Sequence, residues 1–248
     1  APMTPFEELL IMLVFAHLVG DFIFQRTEWV IQRQEKRWAS PELYLHGLFH
    51  AVLYELVFWY HSVLEFWYLG IILGLVHILI DPLKKQSYKA QTLWFIGDQL
   101  VHLALITAAS WYIFSASADM FWHSIHLDWK IATAYLFLTK PASIFISYLL
   151  PARPSTLEKE TNIKGLGSEK AQKGITNAGE FIGILERLLT LTFILQSAWI
   201  GIGFLITAKS VFRFSDIQQS KQREETEYIM IGTLLSFSIA ILCGILLI

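Results

Sequence analysis

The chain has 248 residues, 54% of them hydrophobic and only 16% charged, with a formal net charge of −2. A soluble domain carries about 25% charged residues, and a chain with no positive excess has no electrostatic footprint for nucleic acid. The single cysteine, Cys243, excludes an internal disulfide and a thiolate zinc site.

Mean hydropathy is +0.49, and apolar runs near the length of a membrane span recur along the chain. The first covers residues 6–25. A stretch carrying Arg26, Arg33, Lys36 and Arg37 follows. Pro41, a residue suited to a helix start, opens a second span reaching residue 61. A short connection without Lys or Arg leads to a third span, residues 66–81, which stops at Pro82. The next loop carries Lys84, Lys85 and Lys89. The fourth span covers 92–114, and a polar loop with His123 and His126 follows it. A fifth covers 131–150, ended by Pro151 and Pro154.

Beyond it lies the longest polar segment, 151–178. An apolar stretch over 180–208 is interrupted by Glu186-Arg187, and a charged stretch over 209–227 precedes the last span, 228–248. This pattern predicts an all-α polytopic transmembrane bundle of about six to seven spans. It divides into a four-span bundle over 1–116 and a C-terminal membrane region over 117–248. Lys and Arg in the first and third loops place those loops in the cytoplasm. The same rule meets a conflict at 180–208. A single straight span there would put two Lys- and Arg-rich segments on opposite sides, so either the segment is re-entrant or broken, or one of those segments lies outside.

The first four spans each carry a polar pair at i,i+4 spacing: His17/Asp21, His46/His50, His77/Asp81 and Asp98/His102. That spacing sets both side chains on one helix face, about 5–6 Å apart. Ionisable residues inside apolar spans are costly and mark function. Span direction alternates, so His17, His50, His77 and His102 form a deeper layer, with Asp21, His46, Asp81 and Asp98 nearer the cytoplasm. These eight are the predicted metal ligands. Imidazole with carboxylate suits zinc, with iron or manganese as alternatives. Eight donors are enough for one or two divalent ions, and Gln25 and Gln99 are candidates to orient them. An Asp not fully engaged with metal, Asp21 or Asp98, is the predicted general base.

The motifs His17-x3-Asp21-Phe22-x2-Gln25, His77-x3-Asp81-x2-Lys84 and Asp98-Gln99-x2-His102 resemble the domain of unknown function 3307 family of bacterial membrane proteins. Asn177-Ala178-Gly179, Glu186-Arg187 and Lys209-Ser210-x2-Arg213-Phe214 resemble a C-terminal region of its longer members. The resemblance implies a multi-pass protein of the bacterial inner membrane and brings no established reaction. A looser likeness is to membrane-bound metal-dependent hydrolases with paired His and Asp residues, by analogy only.

The function expected from these features is a membrane-embedded metal-dependent hydrolase acting on a lipid headgroup or a membrane-proximal ester, amide or phosphoester. The alternatives are a di-iron membrane oxidoreductase, an ion transporter, and a non-catalytic membrane sensor with a structural metal. Glu186, Arg187, Lys209 and Arg213 are candidate contacts for an anionic substrate, weighed against a structural ion pair and a solvated face. Gly232, Ser236, Ala240 and Gly244 form a small-residue stripe that suits close helix packing, including a homo-oligomer through the last span. Membrane lipid is the expected partner, and nucleic acid is not.

Overall fold

The structure, a computed structural model, describes residues 3–25, 27–83, 91–117, 128–150, 169–214 and 223–248. Lys84, Lys85, Lys89, His123, His126 and residues 151–168 of the long polar loop lie outside the described residues. Among those described, every regular element is helical. The chain separates into two units, Ala1–Leu136 and Phe137–Ile248.

In the first unit α1 runs Pro5–Leu18. Thr4 and Glu7 close a capping box at its start, each side chain accepting the other's backbone N–H at 3.3 and 2.9 Å. The helix continues into a wider π turn, Val19–Ile23. Then come α2 (Thr27–Lys36), α3 (Pro41–Tyr60), α4 (Trp67–Ile80) and α5 (Gln91–Ala116). Helix α1 packs on α3 and α5, and α4 packs on the same two, which closes a four-helix ring. Its tightest seam is between α3 and α4. A Cβ on Gly47 would sit 2.8 Å from the Gly74 carbonyl oxygen, and one on Gly74 would sit 2.6 Å from that of Gly47. Only glycine permits this backbone contact. It lies between His46 and His50 on one helix and one turn before His77 on the other.

One half of the ring is an apolar core of Leu9, Leu13, Phe58, Leu73, Ile106 and Ile113. The outward faces of the same helices are apolar too. Leu48, Val52, Leu56 and Trp59 stand exposed along α3, as do Leu75 and Leu79 on α4. Helices that are apolar inside and out do not suit water as their surroundings. Two described helices, Thr92–Ala116 and Glu227–Ile245, are long and apolar enough to cross a membrane, with shorter apolar helices at Leu64–Ile80 and Trp199–Val211. That is fewer than the six to seven spans the hydropathy pattern predicts. The apolar helix before Asp81 is short, and the buried polar pairs lower the apolarity of α1 and α3.

The second unit follows α6 (Trp129–Phe137), which straddles the division, and contains α7 (Lys140–Leu149), α8 (Glu169–Leu195), α9 (Trp199–Phe214) and α10 (Arg223–Ile245). The predicted span 131–150 is broken, and so is the apolar stretch 180–208, in line with one of the two alternatives left open for it. The stretch 131–150 turns at Leu138-Thr139, just before Pro141 in the first turn of α7. The stretch 180–208 turns at residues 196–198, where Ser197 takes φ 56°. The ion pair between Glu186 and Lys209 shows that α8 and α9 run antiparallel. The Lys- and Arg-rich stretches flanking this hairpin therefore start from the same end of it. The small-residue stripe of α10 packs within the chain: Ser236 and Ala240 are buried, and a Cβ on Gly244 would lie 2.6 Å from Ile194 on α8.

Candidate metal centre

Four helix ends meet where the polar pairs converge: the C-termini of α1 and α4 and the N-termini of α3 and α5. The π turn after α1 carries Asp21 into this space, and such turns recur at functional sites. Gly20 inside it faces the His50 imidazole so closely that a Cβ would lie 2.5 Å from Cε1.

His17, Asp21, His50 and His77 each offer one ligand atom to a group whose atoms all lie within 4.8 Å of one another. His50 Nε2 is 3.0 Å and His77 Nδ1 3.8 Å from Asp21 Oδ1, and His17 Nε2 is 3.5 Å from Asp21 Oδ2. The three imidazoles are fully enclosed, whereas the Asp21 side chain keeps 11% exposure. The rings press together: His50 stacks on His77 at 3.6 Å between centroids, and His77 on His102 at 4.1 Å.

His77 meets no hydrogen-bond partner at either ring nitrogen, and His50 meets none at Nδ1. Leaving a buried polar atom unpaired costs about 1–3 kcal/mol. A cation bound at one His77 nitrogen removes that cost there, and three imidazoles and a carboxylate form a donor set that fits a divalent ion.

The other four predicted ligands surround this group. His46 Nε2 lies 3.2 Å from Asp21 Oδ1 and 3.8 Å from Asp81 Oδ2. Asp81 pairs with Arg33 of α2. His102 donates from Nδ1 to the backbone carbonyl of Asp98 at 2.8 Å, which leaves Nε2 as an acceptor without a hydrogen-bond partner. Asp98 and Asp21 are linked by Gln99, whose amide donates to both at 3.3 and 3.2 Å. These contacts are of the kind that orient a ligand from behind.

Sequence reasoning misses two members. Tyr54, buried within α3, holds its hydroxyl 3.4 Å from His17 Nδ1 and turns Nε2 of that ring toward Asp21. It lies one turn beyond His50, so the i,i+4 series on α3 continues by a further step. Arg33 counts in the sequence as loop charge, yet it is only 8% exposed and pairs with Asp81. The amphipathic pattern of residues 27–36 is the signal that places it on a helix face.

Comparison with known families falls on this same unit. Residues 9–129 match the model of the family described as Protein of unknown function (DUF3307). The match takes in all eight paired residues, together with Arg33, Tyr54 and Gln99, and it is the family the motifs resemble. No curated protein and no solved structure matches the chain.

The charged residues of the C-terminal unit are engaged elsewhere. Arg187, 3% exposed, donates to the carbonyl oxygens of Leu138 (2.7 Å) and Thr139 (3.1 Å) and to the hydroxyls of Ser143 (2.6 Å) and Ser236 (3.2 Å). Those carbonyls lie where the chain breaks between α6 and α7; that of Thr139 also accepts from the backbone N–H of Ser143 at 3.3 Å, and Arg187 adds donors at the break. Glu186 is paired with Lys209, which also lies 5.8 Å from the Phe237 ring centroid. These three residues thus hold their own unit together rather than facing an incoming anion, and the side chain of Arg213 lies outside the described residues.

Proposed function

We propose that the chain is a multi-pass membrane protein of the bacterial inner membrane. In this reading the DUF3307 region is a metal-dependent hydrolase acting at the cytoplasmic lipid interface on a lipid headgroup or membrane-proximal ester, amide or phosphoester. The observation that carries the reading is the His17/Asp21/His50/His77 group, with its unpartnered imidazole nitrogens, inside a bundle that is apolar on its outer faces.

The roles follow from position. His17, His50 and His77 hold the ion, zinc in the first instance. A bound divalent ion lowers the pKa of water and polarises a carbonyl or phosphoryl oxygen. Asp21 is the most open of the four and stands against all three imidazoles; when not bound to the ion, its carboxylate would be placed to take a proton from water. Gln99 and His46 keep its carboxylate aimed. Asp98 acts through Gln99 and the His102 ring. Tyr54 and the carbonyl of Asp98 set the tautomers of His17 and His102. The broken 180–208 segment supports the topology, because a re-entrant hairpin leaves both flanking basic segments in the cytoplasm.

The test is elemental analysis of purified wild type, His17→Ala and Asp98→Asn, together with hydrolysis of lipid esters and phosphoesters. One ion per chain is expected in wild type, with none in His17→Ala and most of it kept in Asp98→Asn. Equal metal in all three removes the ligand assignment. Stoichiometric metal with no turnover of any lipid leaves a structural metal in a sensor.

A further inference from the structure

A guanidinium lies behind the group just described, paired with Asp81. Arg33 lies on α2, the short helix between the first two bundle helices, and its side chain is more than nine-tenths buried. It reaches Asp21 through a chain of contacts. Its Nη1 pairs with Asp81, and His46 lies 3.8 Å from Asp81 Oδ2 and 3.2 Å from Asp21 Oδ1. The guanidinium is thus held three contacts from Asp21 of the metal group.

We propose that Arg33 is the anion-recognition residue of this site and that its ligand is the phosphate of a membrane lipid headgroup. This rests on the hydrolase reading above and narrows its substrate to lipids whose phosphate lies close to the bond being cleaved. An arginine carries five N–H donors in a rigid fork that matches phosphate oxygens. Asp81 takes a donor on Nη1, and by count the fork retains others for a second anion. Asp21, Asp81 and Asp98 against one guanidinium leave two formal negative charges, which a single divalent ion balances. The lipid source follows from the setting of α2. Ile23 and Phe24 before it, Ile31 on it, and Trp38 and Tyr44 after it are all exposed, an apolar and aromatic fringe suited to the headgroup layer.

The experiment measures binding to full-length, zinc-loaded protein by titration calorimetry. The probes are phosphatidylcholine vesicles with and without phosphatidic acid, and inorganic phosphate. The proteins are wild type, Arg33→Gln, and Arg33→Gln/Asp81→Asn, which leaves no carboxylate unpaired should the single variant misfold. Zinc content is measured on each. The expected result is phosphatidic acid-dependent binding that weakens on the order of 10- to 100-fold in whichever variants retain zinc. Equal affinity in wild type and a zinc-retaining variant overturns the role of Arg33 and leaves the metal reading intact. Arg33-dependent binding of inorganic phosphate as tight as that of the vesicles overturns the lipid as its source. Wild type without stoichiometric zinc overturns the hydrolase reading first, and this proposal with it.

Discussion

Gly20→Ala is the sharpest single perturbation of the metal group. No glycine among the described residues has positive φ, so alanine is acceptable to the backbone there and only the added methyl matters. That methyl would lie 2.5 Å from His50 Cε1, 2.6 Å from Nε2 and 3.0 Å from Nδ1. An ordinary carbon contact is about 3.5–4.0 Å, so the imidazole must retreat by about 1 Å. His50 is fully buried and already stacked 3.6 Å from His77, so it cannot move without displacing a second ligand. Metal sites tolerate errors of about 0.2 Å in ligand distance. Zinc affinity should fall by about 100-fold or more, roughly 2.7 kcal/mol, read by competition with a chromophoric chelator. Gly97→Ala is the control. It sits on α5 beside Asp98 with nothing within 4 Å of its added methyl, and should bind zinc as wild type does with about 0.5–1 kcal/mol greater stability. Gly20→Ala with wild-type zinc affinity in a folded protein would refute the argument that His50 is held in place as a ligand.

The other predictions concern stability as well as metal. His77→Leu should lose the metal yet unfold no earlier than metal-free wild type, since both nitrogens of His77 lack hydrogen-bond partners; thermal melts with and without chelator separate the two effects. Arg187→Met removes the donor that Nε gives the Leu138 carbonyl, whereas the Thr139 carbonyl keeps the N–H of Ser143, and it should cost about 1–3 kcal/mol in detergent-solubilised protein, with zinc content unchanged. Lys209→Met leaves Glu186 half-buried and unpaired, at a cost of about 2 kcal/mol, and adding Glu186→Gln should recover most of it. If that double variant unfolds as readily as Lys209→Met alone, the pair is not what joins α8 to α9.

Some features were legible because they are local. The i,i+4 spacing of His17/Asp21 or Asp98/His102 fixes a shared helix face in whatever protein the helix sits. The helix start at Pro41 and the stop near Pro82 are likewise written within a few residues. Others were not legible, because they pair residues far apart in the chain. Arg33 finds Asp81 48 positions away, and Arg187 finds Leu138 at 49. Nothing in either local stretch names its partner. The break at Ser197 carries no Pro or Gly, so a hydropathy window reads one span where the chain makes a hairpin.

What the amino-acid order decides here is a helical chain rich in apolar residues, with histidines and aspartates placed in register on four successive segments. What only tertiary structure decided is which of those eight donors share a centre and which stand behind it. The close approach of Gly47 to Gly74 and the π turn at Asp21 rotate and shift whole helices by amounts no local pattern encodes. A displacement of an ångström is the difference between holding an ion and merely standing near it.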